Sequence, residues 1–408
     1  MDAYLLDWAN LLLRWLHVIV AIAWIGSSFY FVFLDNNLLA PTADDLKKKG
    51  VDGAMWAVHG GGFYNPQKYM VAPQGGIIDS KLHWFYWESY STWLSGFALF
   101  VVLYLWNANA FLIDKQVMDW SPVAAGAAAV GFLAAFWFIY DAICRVFGFR
   151  PNGERIVGAL LFIVVCFAAW LACQLFAGRA AFLIVGAMLA TTMSANVFFW
   201  IIPGQRKVVA AMTGGKAYDA SALAIHGQRG KQRSVHNTYF TLPVIFAMLS
   251  NHYSFVYSHP QRWLVLVLMM LAGALIRQFF VQRHGWHLGR TANPWPYAAA
   301  GVVLLAVVIV WLRPAAQPAA AALPETVSYA AVRPVLEQRC YQCHGEAVQM
   351  KNLRFDSQQQ VETHAQQIYQ QVVVNKLMPL SNATQMTDVE RALIGRWFEG
   401  QGANRGNK

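Results

Sequence analysis

Residues 156–176 read IVGALLFIVVCFAAWLACQLF, an apolar run without a single charged side chain. A helix of about 20 such residues crosses the roughly 30 Å of hydrocarbon in a lipid bilayer. The whole chain shares this character, since 57% of its 408 residues are hydrophobic and 13% are charged. Comparable runs predict eight membrane-spanning helices, at 8–34, 83–106, 122–143, 156–176, 180–202, 239–257, 263–281 and 296–312.

The basic residues of the predicted loops give the orientation, because Lys and Arg are retained on the cytoplasmic side of a membrane. They concentrate in alternate loops: Lys47, Lys48, Lys49, Lys68, Lys81, then Arg145, Arg150, Arg155, then Arg206, Lys207, Lys216, Arg229, Lys231, Arg233, then Arg283 and Arg290. The intervening loops offer only Lys115, Arg179 and Arg262. We therefore expect a multi-pass protein of a bacterial inner membrane, with both chain ends in the periplasm. The net charge of +10 comes mainly from these loops and does not predict a nucleic-acid partner.

A different signal lies near the carboxyl end, where Cys340, Cys343 and His344 form the pattern C-x-x-C-H. This pattern is typical of a covalently attached c-type haem, in which the thiols add to the vinyl groups and the imidazole binds the iron. A zinc knuckle is disfavoured, because no second cysteine pair follows. Haem attachment takes place on the oxidising side of the membrane, which agrees with the orientation predicted from the loops.

Methionine commonly supplies the second axial ligand of such an iron, because a thioether stabilises the ferrous state. Two candidates follow the motif. Met378 precedes a proline, as in the ligand loop of small bacterial cytochromes c, and Met386 precedes Thr387, the predicted cap of the last helix. We predict His344 and Met378 as the iron ligands and keep Met386 as the alternative.

The predicted fold class is all-α: a polytopic bundle of eight transmembrane helices followed by a small, all-α, class I cytochrome c domain. The transmembrane domain covers residues 1–314, an Ala- and Pro-rich linker 315–324, the periplasmic cytochrome domain 325–402 and a disordered tail 403–408. Cys144, Cys166 and Cys173 have no spacing that suggests a site, and we expect them to be small core residues.

The histidines of the predicted spans allow three interpretations, because polar groups inside a membrane are costly and often functional. In the first interpretation the histidines are packing residues, as we expect for His226, His259, His284 and His364. Alternatively, His17 and His252 hold a b-type haem near the periplasm, with His83 and His236 as an inner pair. In the third interpretation His83, Glu88 and His236 are acid/base residues of a substrate pocket. The sequence leaves these alternatives open.

Over essentially its whole length, the chain resembles the membrane-bound urate oxidases fused to a cytochrome c, also called urate hydroxylases. The resemblance is carried by RWLH at 14–17, WIG at 24–26, LHWFYWE at 82–88, TWLSG at 92–96, NVFFWIIPGQRK at 196–207, HNTYFTLPV at 236–244, SNHY at 250–253 and MPLSNATQMT at 378–387. It implies oxidation of urate to 5-hydroxyisourate, with the oxygen atom from water and the electrons passed to the cytochrome rather than to dioxygen. A soluble cytochrome c or a terminal oxidase would be the downstream acceptor.

Urate is a planar anion, so its pocket should offer a cation, amide donors and an aromatic face. Such groups are available in Arg277, Asn196, Asn237 and residues 84–87. His83 or Glu88 would then accept the urate proton. A different class stays open: an electron-transfer subunit that relays electrons from quinol or a partner dehydrogenase to a periplasmic cytochrome.

Overall fold

A computed structural model describes residues 3–69, 81–115, 117–213, 220–313, 327–379, 382 and 384–405. Helices dominate these residues, and four short strands form two small antiparallel pairs, β1 with β4 and β2 with β3. The strands are β1 Gly53–Ala54, β2 Ala57–His59, β3 Gly62–Tyr64 and β4 Gln67–Lys68. The predicted linker 315–324 lies outside the described residues, as does 406–408 of the predicted tail.

The larger part of the chain forms twelve helices within the described residues: α1 Ala3–Asn37, α2 Asp44–Lys48, α3 Trp87–Phe100, α4 Ala108–Phe111, α5 Pro122–Phe147, α6 Gly153–Leu175, α7 Gly178–Asn196, α8 Ile202–Thr213, α9 Ala220–Ser250, α10 Ser254–Tyr257, α11 Arg262–His287 and α12 Trp295–Trp311. A π-helical segment, Val101–Leu105, continues α3, and another, Val197–Ile201, joins α7 to α8. The protein is therefore all-α in class, as predicted.

Five of the described helical segments are long and apolar enough to cross a membrane: Tyr4–Asn37, Pro122–Phe147, Gly153–Leu175, Gly178–Thr213 and Arg262–His287. Each contains most of one predicted span. Helix α12 is apolar but shorter. The spans expected at 83–106, 239–257 and 296–312 stay predictions.

Two of those three segments differ from the sequence expectation in their boundaries. Helix α3 begins at Trp87, so His83 precedes it instead of lying inside it. Helix α9 begins at Ala220, sixteen residues before His236, and ends at Ser250. His236 thus lies in the middle of a helix rather than at its start. The hydropathy pattern misses the first half of α9 because its basic side chains resemble a loop.

Helix α7 lies at the centre of the bundle, in contact with α3, α5, α6 and α9. Small side chains allow this close packing: Ala180 and Ala181 are fully buried, and a Cβ added to Gly186 would lie 2.6 Å from the Cβ of Ala247. Helices inside membranes associate through such small residues, because lipid provides no hydrophobic drive for association. The position of α9 against α7 fixes the polar face of α9 inside the bundle.

Residues 327–405 form a separate small helical unit with a hydrophobic core of its own. Its helices are α13 Tyr329–Arg339, α14 Tyr341–His344, α15 Gln358–Thr363, α16 Ala365–Ile368 and α17 Asp388–Arg405, with a 3₁₀ turn at Met350–Asn352 and a π-helical segment at Tyr369–Val374. Leu336, Ile394 and Trp397 lie at the centre of this core. Helix α17 extends past the predicted domain end at residue 402.

The start of α17 is a capping box, which confirms Thr387 as the predicted cap. The Glu390 amide donates to Thr387 Oγ1 at 3.2 Å, and the Thr387 amide donates to Glu390 Oε2 at 2.6 Å. Glu390 Oε1 also accepts from Arg339 at 3.0 Å. Burial acts to raise the pKa of Glu390, but the Thr387 amide and the Arg339 guanidinium outweigh it and hold this pKa below its usual value.

Replacing Glu390 with alanine should destabilise the start of α17 by about 1 kcal/mol, because the capping box and the Arg339 ion pair are lost together. A carboxyl group whose pKa is lowered by folding stabilises the folded state at pH values above its unfolded pKa of 4.5. This stabilisation is lost as the pH falls through the pKa of the folded state. Hydrogen exchange of residues 388–395 should therefore accelerate in the variant at neutral pH, and the difference should shrink below about pH 4. An equal difference at both pH values would contradict this account, and Glu399→Ala provides the exposed control.

Candidate active site

His236 lies at the centre of a hydrogen-bonded network inside the bundle. Asn196 Nδ2 donates to Tyr140 Oη at 2.9 Å, and this hydroxyl lies 2.9 Å from His236 Nδ1. Either the hydroxyl or Nδ1 can be the donor in this second contact, depending on the histidine tautomer. On the other side of the ring, Nε2 faces Glu154 Oε2 at 3.4 Å. The imidazole, 8% exposed, is thus connected to a carboxylate whose side chain is 62% exposed.

Next to this network, one carboxylate organises two arginines and an indole. Asp141 Oδ1 accepts from Arg233 Nη2 and from Trp200 Nε1, both at 2.8 Å, and Oδ2 accepts from Arg145 Nε at 2.6 Å. The guanidiniums of Arg145, Arg233 and Arg229 lie 4.9, 5.1 and 5.7 Å from the centre of the Trp200 ring. Three cations and one anion surround this indole, which leaves an excess of positive charge.

A cavity of about 210 Å³ opens at this cluster. Its lining provides cations, an amide, a thiol and aromatic rings: Cys144, Arg145, Phe149, Trp200, Arg229, Gln232 and Arg233. Arg233 is 2% exposed, and its Nη1 is buried without a hydrogen-bond partner. A buried guanidinium donor without a partner is costly unless a ligand satisfies it. The cavity, called the substrate cavity below, is suited to a small planar anion.

His236 lies directly behind the wall of this cavity. Gln232 and Arg233 come one helical turn before it on α9, and Cys144 Sγ lies 3.8 Å from His236 Nδ1. Gln232 Nε2 also donates to Glu154 Oε1 at 2.8 Å. The polar face of α9 therefore joins an anion-binding wall to a group that can accept a proton.

A family model described as urate oxidase, N-terminal, matches residues 3–313. The chain belongs to this urate oxidase family. Searches with the chain among curated proteins and among solved structures gave no match. Membership supports an oxidoreductase with urate as its substrate. The match covers α1 to α12, and hence the substrate cavity, and it ends before the small helical unit at 327–405.

Within the urate oxidase region, the other predicted site residues have surroundings of their own. His83 is exposed, and its ring lies 4.5 Å from that of Phe85. Glu88, in the first turn of α3, has a buried Oε2 without a hydrogen-bond partner. Arg277, 4% exposed, stacks on Phe29 at 4.3 Å. The catalytic and binding roles predicted for His83, Glu88, His236 and Arg277 stay predictions.

The amides predicted for the urate pocket lie in the His236 network. Asn196 Nδ2 also donates to Asn237 Oδ1 at 2.9 Å, and Asn237 Nδ2 donates to the Met193 carbonyl at 2.9 Å. Both side chains form their hydrogen bonds within the bundle, although Asn196 Oδ1 is buried without a partner. In the structure the cavity amide is that of Gln232.

The sequence alone did not indicate most of the residues that line the substrate cavity. Arg229 and Arg233 were assigned to a cytoplasmic loop, and Tyr140 and Glu154 were not selected at all. The available signal was the spacing Gln232, Arg233, His236, which places three polar side chains on one face of a helix. It is informative only once α9 is known to begin at Ala220.

The predicted outer haem ligands, His17 and His252, share a charged neighbour. His17 Nδ1 lies 3.0 Å from Ser95 Oγ, which leaves Nε2 available, and His252 is exposed in the turn that follows α9. The charge of Arg14 acts on both imidazoles. The two histidines therefore lie at the same end of the bundle, and ligation of a b-type haem by them stays a prediction.

In the small helical unit, the residues of the C-x-x-C-H motif fit the attachment of a c-type haem. His344 Nδ1 lies 3.3 Å from the Leu353 carbonyl, a contact that orients the ring and leaves Nε2 for a metal. Burial lowers the pKa of His344, although the Leu353 contact opposes this, and so favours the neutral imidazole that binds iron. Burial raises the pKa of the Cys340 thiol to about 12 and also raises that of Cys343.

The described residues contain no group of three or more His, Cys, Asp or Glu side chains that could hold a metal ion by themselves. A haem iron needs only axial ligands from the protein, because the porphyrin supplies the other four. The two candidate methionines differ in their packing. Met386 is 3% exposed and belongs to the core, whereas Met378 is half-buried at its edge.

Proposed function

We propose that this protein oxidises urate to 5-hydroxyisourate at the membrane and delivers the electrons to a c-type haem attached at Cys340 and Cys343. In the balanced reaction, urate and water give 5-hydroxyisourate, two protons and two electrons. The observation that carries the proposal is the buried Arg233, which lines a cavity of about 210 Å³ within a urate oxidase domain and whose Nη1 has no hydrogen-bond partner in the protein. This cavity is the place at which we propose that the urate anion binds.

The cavity lining provides each type of contact that a planar purine anion needs. Arg233 supplies a charge-assisted hydrogen bond from Nη1, while its Nη2 is held by Asp141 at 2.8 Å. The rings of Trp200 and Phe149 supply apolar surface, and Gln232 supplies an amide. Since Asp141 orients both Arg233 and Trp200, the wall is preorganised and needs little rearrangement when the anion binds.

Proton removal is assigned to His236 acting through the Cys144 thiol, which lines the cavity and lies 3.8 Å from His236 Nδ1: the thiol passes its proton to Nδ1 and takes one from the substrate, while Nε2 faces Glu154. A proton accepted by this imidazole has an exit, because Glu154 is partly exposed to solvent. The pair follows the general pattern of a base oriented by a carboxylate. His83, Glu88 and Arg277 stay candidates for further acid/base or binding roles, and the buried, unpartnered Oε2 of Glu88 supports such a role for that residue.

For the electrons, the small helical unit offers Cys340 and Cys343 for attachment, His344 as one axial ligand and Met378 as the proposed second. A haem held there accepts one electron at a time. The fused arrangement keeps this acceptor at high effective concentration. A b-type haem at His17 and His252 would provide an intermediate station, and a soluble cytochrome c or a terminal oxidase would receive the electrons. The unit itself is proposed to lie in the periplasm, as the loop charges favour.

The test is to add urate to membranes that contain the oxidised protein, without oxygen, and to record the absorption bands of reduced c-type haem. Bands that appear with urate and not with quinol support the proposal. Bands that appear with quinol alone would contradict it and favour an electron-transfer subunit. Membranes without the protein provide the blank. Urate consumption measured in parallel should show that two electrons are transferred for each urate oxidised.

Replacing Arg233 with lysine should lower kcat/KM for urate by about 10- to 100-fold, chiefly by raising KM. Lysine keeps the charge, and hence the partner of Asp141, but it cannot donate to Asp141 and the substrate in a fixed fork. Steady-state kinetics of urate consumption would measure the effect. The control is Arg150→Lys, a nearby arginine that stacks on Phe147 at 5.3 Å outside the cavity. Equal KM values in the two variants would contradict the assignment.

A further inference from the structure

A second cavity, of about 100 Å³, lies beside the substrate cavity and shares two lining residues with it, Trp200 and Arg229. Its other walls include Lys207 and His226. We refer to it below as the vestibule. Because the two cavities share an indole and a guanidinium in their walls, they are neighbouring chambers.

The local fold explains why the vestibule exists. The π-helical segment Val197–Ile201 and Pro203 interrupt the regular hydrogen bonding between α7 and α8, which leaves Trp200 facing both chambers. A Cβ added to Gly204 would lie only 3.2 Å from the His226 carbonyl oxygen. Glycine at this position lets α8 approach α9 closely and encloses the chamber between them.

Charge in the vestibule is positive and unbalanced. Its lining contains Lys207, Arg229 and His226 but no carboxylate. Neither Lys207 nor Arg229 forms an ion pair with Asp or Glu among the residues that the structure describes. Both are exposed, His226 is half-buried, and Arg233 beyond the indole is buried. An anion that moves along this row passes from exposed cations to a buried one. The attraction between the anion and a cation increases where water is excluded, so inward movement is electrostatically favourable.

We infer that the vestibule is the entrance for the anionic substrate: Lys207 and His226 receive urate from the cytoplasmic side, and Arg229 passes it beside Trp200 to Arg233. The inference rests on the proposed function. It adds the membrane face at which urate enters, because Lys207 and Arg229 belong to the basic segments that are expected to remain in the cytoplasm. Urate would thus enter at one face of the membrane while its electrons leave at the other.

Variants of the vestibule provide the first test. Lys207→Gln and His226→Gln should each lower kcat/KM for urate by about 3- to 10-fold while kcat stays nearly constant, and Lys207→Gln should weaken the dependence of kcat/KM on salt. The matched control is Lys231→Gln, an exposed lysine on α9 that lines neither cavity. Equilibrium binding of urate, measured separately, should weaken much less than kcat/KM, since the final binding site is intact.

Sidedness provides the second test. In inverted membrane vesicles, urate should reduce the c-type haem at once, whereas in right-side-out vesicles it should do so only after permeabilisation. Two results would overturn only the inference about the vestibule. One is haem reduction by urate in intact right-side-out vesicles. The other is a wild-type protein that oxidises urate together with vestibule variants that behave like Lys231→Gln. Absence of urate oxidation even in permeabilised vesicles would overturn the proposed function, and the vestibule inference with it.

Discussion

Replacing His236 with glutamine should lower kcat for urate oxidation by about 10²- to 10⁴-fold, with a much smaller change in KM. Glutamine keeps a polar group of similar length next to Tyr140 and Glu154, so the surrounding network is preserved while the proton acceptor is lost. The binding wall, formed by Arg233, Trp200 and Gln232, should still hold urate. Steady-state kinetics of urate consumption, together with direct urate binding, would separate these two contributions.

Three further variants test whether His236 acts as a base or merely supports the fold. His236→Ala should regain part of its activity when imidazole is added, because the small base can occupy the vacated space. Glu154→Gln should lower kcat less than His236→Gln, since it removes only the proton exit. The control His284→Gln, at a half-buried histidine near the end of α11, should retain full activity. Full turnover by His236→Gln would exclude this histidine and return attention to His83 and Glu88.

Replacing Cys340 and Cys343 together with serine should abolish covalent haem and reduce urate turnover to background. Serine cannot form the thioether bonds, and without them the acceptor is not anchored to the small helical unit. Haem staining of the denatured protein would show the loss of attachment, and urate consumption would show the loss of activity. The expected effect is the largest of any substitution here, because under the proposed function every electron removed from urate passes through this acceptor.

The double variant must be distinguished from a misfolded protein. Urate binding should remain, because the substrate cavity lies within residues 3–313, outside the altered unit. Cys166→Ser, at a half-buried cysteine in α6, should keep both haem and activity. Normal turnover by the double variant would show that the small unit does not receive the electrons and would contradict the proposed function.

The sequence was sufficient to predict the helical class and most of the long apolar helices. Residues 156–176, for example, fall almost entirely within α6, because a long apolar run has few alternatives to a buried or membrane-spanning helix. Boundaries were less predictable where polarity changes along one helix. In α9 the charged half and the apolar half have different hydropathy, so only the apolar half was recognised. The structure shows both to be one continuous helix around Pro243.

The site was predictable in type but only partly in position. The cavity lining contains the expected types of group, a cation, an amide and an aromatic ring, in Arg233, Gln232 and Trp200, whereas the residues predicted for these roles were Arg277, Asn196, Asn237 and residues 84–87, whose roles stay predictions. Such placement depends on which helix faces meet, and a single sequence does not contain that information. His236 was found because a histidine in an apolar context is chemically conspicuous. The role of Asp141 was not predictable, since two of its three partners, Trp200 and Arg233, come from distant parts of the chain.

One carboxylate, that of Asp141, holds two guanidiniums and an indole that belong to the same wall. Natural variation of this wall is thereby constrained, because a change in any one member leaves an opposite charge or a polar atom without its counterpart. Substrate range in relatives of this enzyme is then expected to shift through coordinated replacements, or through residues such as Phe149 and Cys144 that line the cavity without belonging to the charged cluster. Under the proposed function, the aromatic and thiol positions are those at which we expect selectivity to vary.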